Sequence, residues 1–552
     1  MKLSRTLTAL LCATALTTNA ASVALANGAN QPVRTTATPI KHLIVIYQEN
    51  VSFDHYFGTY PHATNPKGEP AFHARKNTPT DIDTVENAGL LTNNPNFLNT
   101  LNGTGAANPF RLDVTQSASA DQNHSYTPEQ QAEDNGAADL FPLYTGVGSP
   151  GGVGTFGTTG QVMGYYDGNT ITAMWNYAQH FAMSDNARTD GYGPSTPGAI
   201  EAVSGQTNGM QIVLDTNGKN SYYVADGQGG YTLINDVDPA YDVCASTTNT
   251  STMAGKNVGD LLNAARITWG SFMGGFDLTR TNPNGTTGCA RSTVSNVTEV
   301  NETDYIPHHA WFQYYPSTSN PTHARPSSVA AIGHSYEPGT KTLDPANHEY
   351  DINDFYTAVQ AGNFPSVSYI KAPAFQDAHA GYSDPTDEQY FLVTLINFLQ
   401  QQKKWKDTAV VIAYDDSDGW YDHSYTAATS SSYTSADQLN GAGVCGTGTQ
   451  QNGVSGKPVD GRCGPGVRTP FMVISKYAKK NYVSHTPITQ ASIVKFIEDN
   501  WLGGARLGGG SFDDSTGSIM DMFDFTSSKA PATKLILDPD TGLQTAALVK
   551  KQ

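Results

Sequence analysis

The most constraining feature of the sequence is a β-branched, apolar run that ends in two adjacent carboxylates. Residues 408–414 read Thr-Ala-Val-Val-Ile-Ala-Tyr, and Asp415 and Asp416 follow directly. A run without polar alternation fits a strand that is buried on both faces of a parallel sheet. Open α/β sheets bind their ligands at the carboxyl ends of such strands. Adjacent carboxylates repel each other unless a cation lies between them, so we expect a metal site here, with a solvated loop as the alternative.

A second strand end carries oxygen ligands of the same kind. Residues 41–47 form a short apolar run with β character, and Glu49 and Asn50 follow shortly after it. Because the carboxyl ends of parallel strands meet at one edge of a sheet, we expect both pairs of side chains to lie together. Oxygen ligands suit magnesium, calcium, manganese or iron, and added histidines would favour zinc or iron. The sequence therefore predicts a divalent metal ion without fixing its identity.

A stiff turn supplies a candidate nucleophile. Residues 190–197 read Asp-Gly-Tyr-Gly-Pro-Ser-Thr-Pro, which places Ser195 after two glycines and between two prolines. Proline restricts φ and glycine permits tight turns, so this hydroxyl is held in place. A serine needs a base or a metal before it attacks, and the cation expected near Asp415 would supply that activation. An ordinary turn serine is the alternative interpretation.

Histidines supply the remaining candidate chemistry. Those that lie in polar stretches near acidic or aromatic residues are His124, His308, His309, His379 and His423. Imidazole changes its charge near neutral pH, which suits acid–base chemistry. On a strand the adjacent His308 and His309 would face opposite directions, so at most one of them would point at a given ligand. Structural hydrogen bonding is the alternative for each histidine.

The amino-terminal residues and the net charge restrict the functional class. A basic start, an apolar stretch and a small-residue cleavage site at 24–26 predict a secretory signal peptide over residues 1–26. We therefore expect a secreted or periplasmic protein. No later stretch reaches the roughly 18 apolar residues that a membrane span needs, so no stable membrane insertion is expected. The net charge of −18 argues against a nucleic-acid partner.

The cysteine count favours disulfide bonds. Of the five cysteines, Cys12 lies in the predicted signal peptide, which leaves an even number for an oxidising compartment. Four cysteines allow three connectivities. Proximity in the sequence favours Cys244 with Cys289 and Cys445 with Cys463, and none of the spacings is typical of a zinc site.

Strand-like runs alternate with amphipathic helices along the chain. Residues 388–406 and 487–502 carry apolar side chains at three- and four-residue intervals, and they adjoin the apolar runs at 408–414 and 470–474. Such alternation predicts an α/β fold with a mostly parallel central sheet flanked by helices.

Loop-like stretches and a weak carboxyl-terminal region complete the predicted organisation. Stretches rich in Gly, Asn and Thr indicate surface insertions around residues 91–108, 145–160, 280–287 and 428–457. Beyond about residue 525 the sequence shows only one weak strand, at 534–537. We therefore predict a signal peptide at 1–26, one domain with insertions at 27–525 and a carboxyl-terminal tail at 526–552.

Five motifs occur in a specific order, at residues 41–58, 163–167, 193–197, 414–423 and 464–470. Their combination resembles the bacterial phosphoesterase family that joins phospholipases C with acid phosphatase A. The resemblance runs from about residue 38 to residue 503. It implies a core similar to that of alkaline phosphatase, carrying long loop insertions.

The resemblance also implies roles for individual residues. The metal would be bound by Glu49, Asn50, Ser195, Asp415 and Asp416. Ser195 would attack phosphorus, and the phosphate would be contacted by His124, His308, His309 and His379. The implied cofactor is a divalent metal ion, and the implied partner is a small phosphoester or a phospholipid.

Three functions are compatible with these residues. The first is a secreted, metal-dependent acid phosphatase that hydrolyses phosphate monoesters through a phosphoserine. It is favoured because the Asp-Asp-Ser-Asp sequence at 415–418 and the absence of a twin-arginine signal depart from the phospholipase branch. The second is a phospholipase C that hydrolyses phosphodiesters of the phosphatidylcholine type. The third is a secreted metal- or phosphate-binding protein without turnover.

Overall fold

The computed structural model describes residues 35–149, 157–216, 218, 221–526 and 534–545. The predicted signal peptide at 1–26 lies outside the described residues, as do parts of the tail predicted at 526–552. No helix in the described part of the chain has both the length and the apolar character needed to cross a bilayer.

Strands and helices alternate through most of the described chain. The strands are β1 (His42–Gln48), β2 (Phe110–Leu112), β3 (Gly164–Tyr166), β4 (Ala182–Ser184), β5 (Ala187–Arg188), β6 (Asn208–Asp215), β7 (Tyr223–Ala225), β8 (Tyr231–Leu233), β9 (Asp238–Pro239), β10 (Asn249–Met253), β11 (Trp269–Met273), β12 (Ser292–Val294), β13 (Asn301–Thr303), β14 (Glu349–Asp351), β15 (Val367–Lys371), β16 (Thr408–Tyr414), β17 (Phe471–Ser475), β18 (Tyr482–Ser484) and β19 (Ile488–Thr489). The α-helices are α1 (Phe53–Phe57), α2 (Pro95–Leu98), α3 (Tyr126–Glu133), α4 (Phe141–Tyr144), α5 (Thr172–His180), α6 (Ser195–Ser204), α7 (Val258–Ala265), α8 (Ile352–Gln360), α9 (Pro385–Gln401) and α10 (Ala491–Trp501).

An eight-stranded sheet forms the centre of the described chain, in the order β14-β11-β15-β1-β16-β17-β4-β18. Strands β14, β11, β15, β1 and β16 run parallel to one another, and only β17 is antiparallel to its neighbours among the described strands of this sheet. Every residue of β1 and β16 is buried, as their unbroken apolar sequences predict. The predicted α/β fold with a mostly parallel central sheet is confirmed.

The two helices predicted beside the sheet occur as α9 and α10. Helix α9 begins after Asp384, whose side chain accepts hydrogen bonds from the backbone N–H groups of Thr386 and Asp387. It ends at Gln401, earlier than predicted, because the chain continues through a 3₁₀ turn into β16. Helix α10 begins later than predicted, since residues 488–489 form β19 and pair with β5.

Insertions between the sheet strands carry their own small sheets. Strands β6 to β10 form a five-stranded sheet in the order β7-β8-β6-β10-β9, and β12 pairs with β13 in a hairpin. Disulfide bonds join Cys244 with Cys289 and Cys445 with Cys463, so the pairing favoured by sequence proximity is confirmed.

The described part of the tail, residues 534–545, packs against α9. Leu535 and Leu537 are buried. The side chains of Gln400 and Asn397 each donate a hydrogen bond to a tail carbonyl, at 2.8 Å to Leu535 and 2.8 Å to Leu537. The weak strand predicted at 534–537 is limited to a single bridge, between Leu537 and Gln544.

A buried ion cluster joins α1 to the loop that follows β16. Arg468 donates from Nε to Asp422 Oδ1 at 2.8 Å and lies 3.6 Å from Asp54 Oδ1. His423 Nδ1 contacts the other oxygen of Asp54. Burial by itself lowers the pKa of His423, but the charge of Asp54 and the hydrogen bond to it raise the pKa to about 10. His423 therefore belongs to this cluster, where its imidazolium and the guanidinium of Arg468 together balance the carboxylates of Asp54 and Asp422.

The raised pKa of His423 predicts a pH-dependent contribution to stability. Its ion pair contributes fully below the unfolded pKa of about 6.5 and is lost as the pH rises through about 10. His423→Gln should lower the free energy of unfolding at pH 6, and the difference from the wild type should shrink by pH 10. Urea unfolding at pH 6, 8 and 10 measures this. His62→Gln, in an ion pair whose His side chain is 66% exposed, is the control. A His423→Gln difference that stays constant with pH would contradict the assignment.

Candidate metal and nucleophile site

Two neighbouring strands deliver acidic and amide side chains to one edge of the sheet. Gln48 in β1 lies opposite Tyr414 in β16, so Glu49 and Asp415 leave the sheet side by side. The backbone N–H of Asn50 donates to Asp415 Oδ1 at 2.9 Å, and the N–H of Asp416 donates to the same oxygen at 2.8 Å. Asn50 has a φ of 54°, a conformation that asparagine tolerates better than most residues. Asp415 thus fixes the geometry of both loops.

The nucleophile candidate lies at the start of a helix that approaches this edge closely. Ser195 is the first residue of α6. Tyr47 on β1 donates from its hydroxyl to Gly198 O at 2.9 Å. A Cβ at Gly198 would lie 2.2 Å from the backbone oxygen of Asp415, so only glycine permits this approach. The glycine brings the first turn of α6 against the acidic loop.

Oxygen atoms converge on the Ser195 hydroxyl. Its Oγ lies 2.9 Å from Glu49 Oε2 and 3.3 Å from each of Asn50 Oδ1 and Asp416 Oδ2. A hydroxyl carries one proton and can donate to only one of these three acceptors. The remaining contacts bring oxygen atoms together without a donor between them. This arrangement fits a cation at the centre of the group.

Burial strengthens the case for a cation. Asp415 Oδ2 is buried and has no hydrogen-bond partner among the described residues. Burial and the charge of Asp415 raise the pKa of Asp416 well above its usual range, although nearby His124 offsets part of this rise. Buried carboxylates this close together need a positive charge or a proton to be stable. The five residues predicted as metal ligands therefore lie together in a geometry that could hold a divalent cation.

Lys371 completes this group on the side of Glu49, and our sequence analysis missed it. It ends β15, and its Nζ forms an ion pair with Glu49 Oε1. Burial lowers the pKa of Lys371, with nearby Asp415 and Asp377 opposing the change. The signal was present in the sequence, because the strand Val367–Lys371 ends in a charged residue, just as Glu49 and Asp415 directly follow β1 and β16.

The adjacent histidines occupy a 3₁₀ turn, Pro307–His309, and not a strand. Their rings are 4.6 Å apart and nearly perpendicular, at 85°. His309 Nδ1 lies 3.4 Å from Glu49 Oε1, whereas His308 Nδ1 lies 3.5 Å from Asp238 Oδ1. Burial, together with His308 and His379, lowers the pKa of His309 well below its usual value. The lowered pKa favours the neutral form of His309 beside Glu49, and His308 lies nearer the surface.

His124 and His379 lie on the other side of the oxygen cluster, near Asn50. His124 Nε2 is 3.4 Å from Asn50 Nδ2, and the rings of His124 and His379 are 5.9 Å apart. Asp418 contacts both Asn50 Nδ2, at 3.1 Å, and His124 Nδ1, at 3.3 Å. Burial by itself lowers the pKa of His124, but the charges of Asp416 and Asp418 raise it well above its usual value. Asp418 belongs to the site, although we had not predicted it as a site residue.

A buried carboxylate ties the nucleophile turn to the acidic loop. Glu129 on α3 accepts a hydrogen bond from the N–H of Gly193 at 2.9 Å and another from Ser417 Oγ at 2.7 Å. Burial raises the pKa of Glu129 to about 7, with both hydrogen bonds opposing the rise. No local pattern in the sequence marks Glu129, because its partners come from distant parts of the chain.

The whole arrangement suits binding of an anion at a metal-activated hydroxyl. The oxygen cluster surrounds Ser195, and the cationic or hydrogen-bonding groups lie on two sides of it. Lys371 and His309 are on the side of Glu49, and His124 and His379 are on the side of Asn50. The partly exposed His124 and His308 lie where the site meets the surface. Such a site can stabilise negative charge as it develops on a bound phosphoryl group.

Comparisons with known proteins agree with this chemistry. Residues 40–502 match the model of the Phosphoesterase family. The chain is 23% identical over 474 residues to the non-hemolytic phospholipase C of Pseudomonas aeruginosa. This alignment covers 84% of this chain and 54% of that protein. It is 22% identical over 476 residues to phospholipase C B of Mycobacterium tuberculosis, covering 83% of this chain and 73% of that protein. The chain thus spans about half the length of the Pseudomonas relative.

Among solved structures, a murine ectonucleotide pyrophosphatase/phosphodiesterase 5 aligns with 64% of this chain and 95% of its own. The sequence identity is 10% and the TM-score is 0.29. The core similar to alkaline phosphatase therefore stays a prediction.

The geometry predicts that Asp415 is required for metal binding. Asp415→Asn removes a charge from the ligand set and should lower the affinity for divalent cations by about a hundredfold. Metal content after dialysis against Mg²⁺, Ca²⁺, Mn²⁺ or Zn²⁺, determined by elemental mass spectrometry, measures this. Asp499→Asn, at a 38% exposed side chain on α10, is the matched control. Wild-type metal content in Asp415→Asn would show that the cluster is not a metal site.

Proposed function

The chain belongs to the Phosphoesterase family, and we propose that it is a metal-dependent phosphoric ester hydrolase of the phospholipase C type, with Ser195 as its nucleophile. The observation that carries this proposal is the position of Ser195 Oγ among the oxygens of Glu49 and Asp416. The relatives named above are phospholipases C, which supports a phosphodiester lipid as the substrate. The sequence of residues 415–418 had instead favoured a phosphate monoester. Phospholipase C activity, the alternative in the sequence analysis, is therefore better supported than the acid phosphatase activity that the sequence favoured.

In this proposal a divalent metal would be held by the residues at and around the Ser195 hydroxyl, which are Glu49, Asn50, Ser195, Asp415 and Asp416. A bound divalent cation lowers the pKa of a coordinated hydroxyl and offsets negative charge on the phosphoryl oxygens. The protein keeps these ligands in place before substrate binds, because Asp415 fixes both loops through backbone hydrogen bonds. The ion could be magnesium, calcium, manganese, iron or zinc.

In the first step Ser195 Oγ attacks phosphorus, and the bond from phosphorus to the leaving-group oxygen breaks. Glu49 Oε2, 2.9 Å from Oγ, is positioned to take the hydroxyl proton. The leaving-group oxygen takes a proton from a histidine at the mouth of the site, where His124 and His308 are partly exposed. This step releases a free alcohol, which is diacylglycerol for a phospholipid, and leaves a phosphoserine, which for phosphatidylcholine still carries choline on its phosphate.

In the second step a water molecule attacks the phosphoserine, and the bond between phosphorus and Oγ breaks. The proton of that water goes to the histidine that had protonated the leaving group, and Oγ regains a proton from Glu49. In both steps negative charge grows on the phosphoryl oxygens. The side chains placed to stabilise this charge are Lys371, His124, His309 and His379. The product is phosphocholine or a similar phosphomonoester.

A phosphate monoesterase remains the second candidate. The observation that favours it is Asp418, the last residue of the Asp-Asp-Ser-Asp sequence, which contacts Asn50 and His124 inside the site. We infer that this buried carboxylate takes up room beside Asn50 that the second ester group of a diester would need. A narrow site suits a small monoester better than a substituted diester.

Replacing the nucleophile tests the covalent route. Ser195→Ala should lower turnover of a phosphoester by at least about a hundredfold, since losing one such group typically costs about 3 kcal/mol in the transition state. Steady-state kinetics with an aryl phosphoester measures this. Ser204→Ala, in the last turn of the same helix, is the matched control. Acid quenching of the wild type should trap phosphate on Ser195, detected by peptide mass spectrometry. Wild-type turnover by Ser195→Ala would refute the mechanism.

A substrate comparison separates the candidate functions. The wild type with its metal should release phosphocholine from phosphatidylcholine, because we propose a phosphodiester substrate, and removing the metal with a chelator should abolish this release. Chromatography of the products from phosphatidylcholine and from an aryl phosphate monoester measures both activities. Hydrolysis of the monoester alone would establish the phosphatase function. If neither substrate is hydrolysed, the remaining candidate is a metal- or phosphate-binding protein without turnover.

A further inference from the structure

Large apolar side chains are exposed on two chain segments, which we call the first loop (α2 and the turn after it) and the second loop (α4 and the residues that follow it). We define the rim patch as Phe97, Leu98, Leu101, Leu143 and Val147. Each of these side chains keeps between 39% and 66% of its residue surface accessible. They belong to the stretches that the sequence marked as insertions around 91–108 and 145–160, or lie next to them. Exposed apolar groups at this density on a soluble surface indicate a binding function.

Buried asparagines hold the two loops together. Asn96 donates from its side chain to Ala138 O at 2.7 Å and accepts from the N–H of Phe141 at 2.9 Å. Asn102 donates to Asp139 O at 2.8 Å. These bonds fix the loop that carries Leu98 and Leu101 against the loop that carries Leu143. The apolar side chains of the patch are therefore exposed on two loops whose relative position is fixed by buried hydrogen bonds.

The second loop is bonded to the chain segment that enters the site. The N–H of Val147 donates to Gln122 Oε1 at 2.7 Å, and the N–H of Asn123 donates to Thr145 O at 2.8 Å. The next residue, His124, contacts Asn50 in the metal and nucleophile site. The patch thus borders the mouth of the site through a short run of hydrogen-bonded backbone.

The side chains of the patch are uncharged, and the carboxylate of Asp139, which accepts a hydrogen bond from Asn99 at 2.9 Å, lies beside them. Residues 91–110 and 140–149 contain no Asp, Glu, Lys, Arg or His, although the chain as a whole has a net charge of −18. An acidic protein is repelled by an anionic surface, and an uncharged apolar patch gains nothing from one. Leucine and phenylalanine gain free energy when they leave water for the boundary between lipid headgroups and acyl chains. The combination fits an electrically neutral lipid surface.

We propose that the rim patch docks the protein on zwitterionic phospholipid surfaces, so that the mouth of the site faces the lipid headgroups. This inference rests on the proposed function, since a phospholipid substrate is presented in such a surface. It adds a binding surface that lies apart from the residues of catalysis. The exposed leucines enter the interface without spanning the bilayer, so binding is reversible.

Vesicle flotation tests the inference in a background that cannot consume the lipid. Ser195→Ala protein is mixed with phosphatidylcholine vesicles and compared with Ser195→Ala carrying Leu98→Asp and Leu101→Asp. The double substitution should lower partitioning onto vesicles by about a hundredfold, or about tenfold for each leucine. Leu343→Asp, at a leucine that is 67% exposed in a different loop, should leave partitioning unchanged. Leu143→Asp, from the second loop, should weaken partitioning on its own.

Activity separates this proposal from the proposed function. With Ser195 intact, the double substitution should leave turnover of a soluble aryl phosphoester unchanged while lowering turnover of vesicle lipid. A wild type that hydrolyses soluble phosphoesters but does not bind vesicles would overturn the docking proposal alone. Vesicle binding without hydrolysis of any phosphoester would overturn the proposed function alone.

Two further measurements test whether the rim patch binds a neutral lipid surface, an anionic lipid surface or a second copy of the chain. Replacing part of the phosphatidylcholine with anionic lipid should weaken binding, and stronger binding would overturn the choice of a neutral surface. Light scattering reports the oligomeric state. If the double substitution converts a dimer to a monomer and leaves vesicle binding intact, the patch joins two copies of the chain and the docking proposal is wrong.

Discussion

Concentrated negative charge around one hydroxyl is the constraint on which the site depends. Glu49, Asp415 and Asp416 are all buried beside Ser195, at the carboxyl end of a parallel sheet. Such a group is unstable without positive charge, and the fold supplies some through Lys371 and the neighbouring histidines. The positive charge that is still lacking could be supplied by a divalent cation. In the proposed function the same imbalance serves substrate binding, because a cation that satisfies the carboxylates would also attract a phosphoryl group.

Much of this arrangement could be predicted because it follows from strand chemistry. Unbroken apolar runs marked β1 and β16 as interior strands, and parallel strands deliver the residues after them to one edge. Ser195 could be found because its glycine and proline neighbours mark a stiff turn. The residues proposed as metal ligands and as nucleophile therefore carried local signals. The resemblance to a known family joined these signals into one site.

The parts that escaped prediction depend on contacts between distant segments. Glu129 has an ordinary helical context, and its importance arises only when Gly193 and Ser417 come within hydrogen-bond reach. The 3₁₀ turn that carries His308 and His309 was not predicted either, although His309 lies beside Glu49 and His308 beside Asp238, in line with the expectation that at most one would point at a given ligand. The packing of residues 534–545 on α9 relies on glutamine and asparagine side chains that bond to backbone carbonyls. The sequence pattern of one segment does not show which distant segments its side chains will contact.

The order of strands in the central sheet has a consequence for how the protein is made. Strand β1 is the first strand of the chain, yet its two neighbours are β15 and β16, from the far end of the domain. A ribosome that has synthesised only the first half of the protein holds a central strand with no partner to pair with. Pairings of such high contact order form slowly and only after the later segments have appeared. The centre of the sheet therefore assembles late in synthesis, after residues 367–414 have left the ribosome.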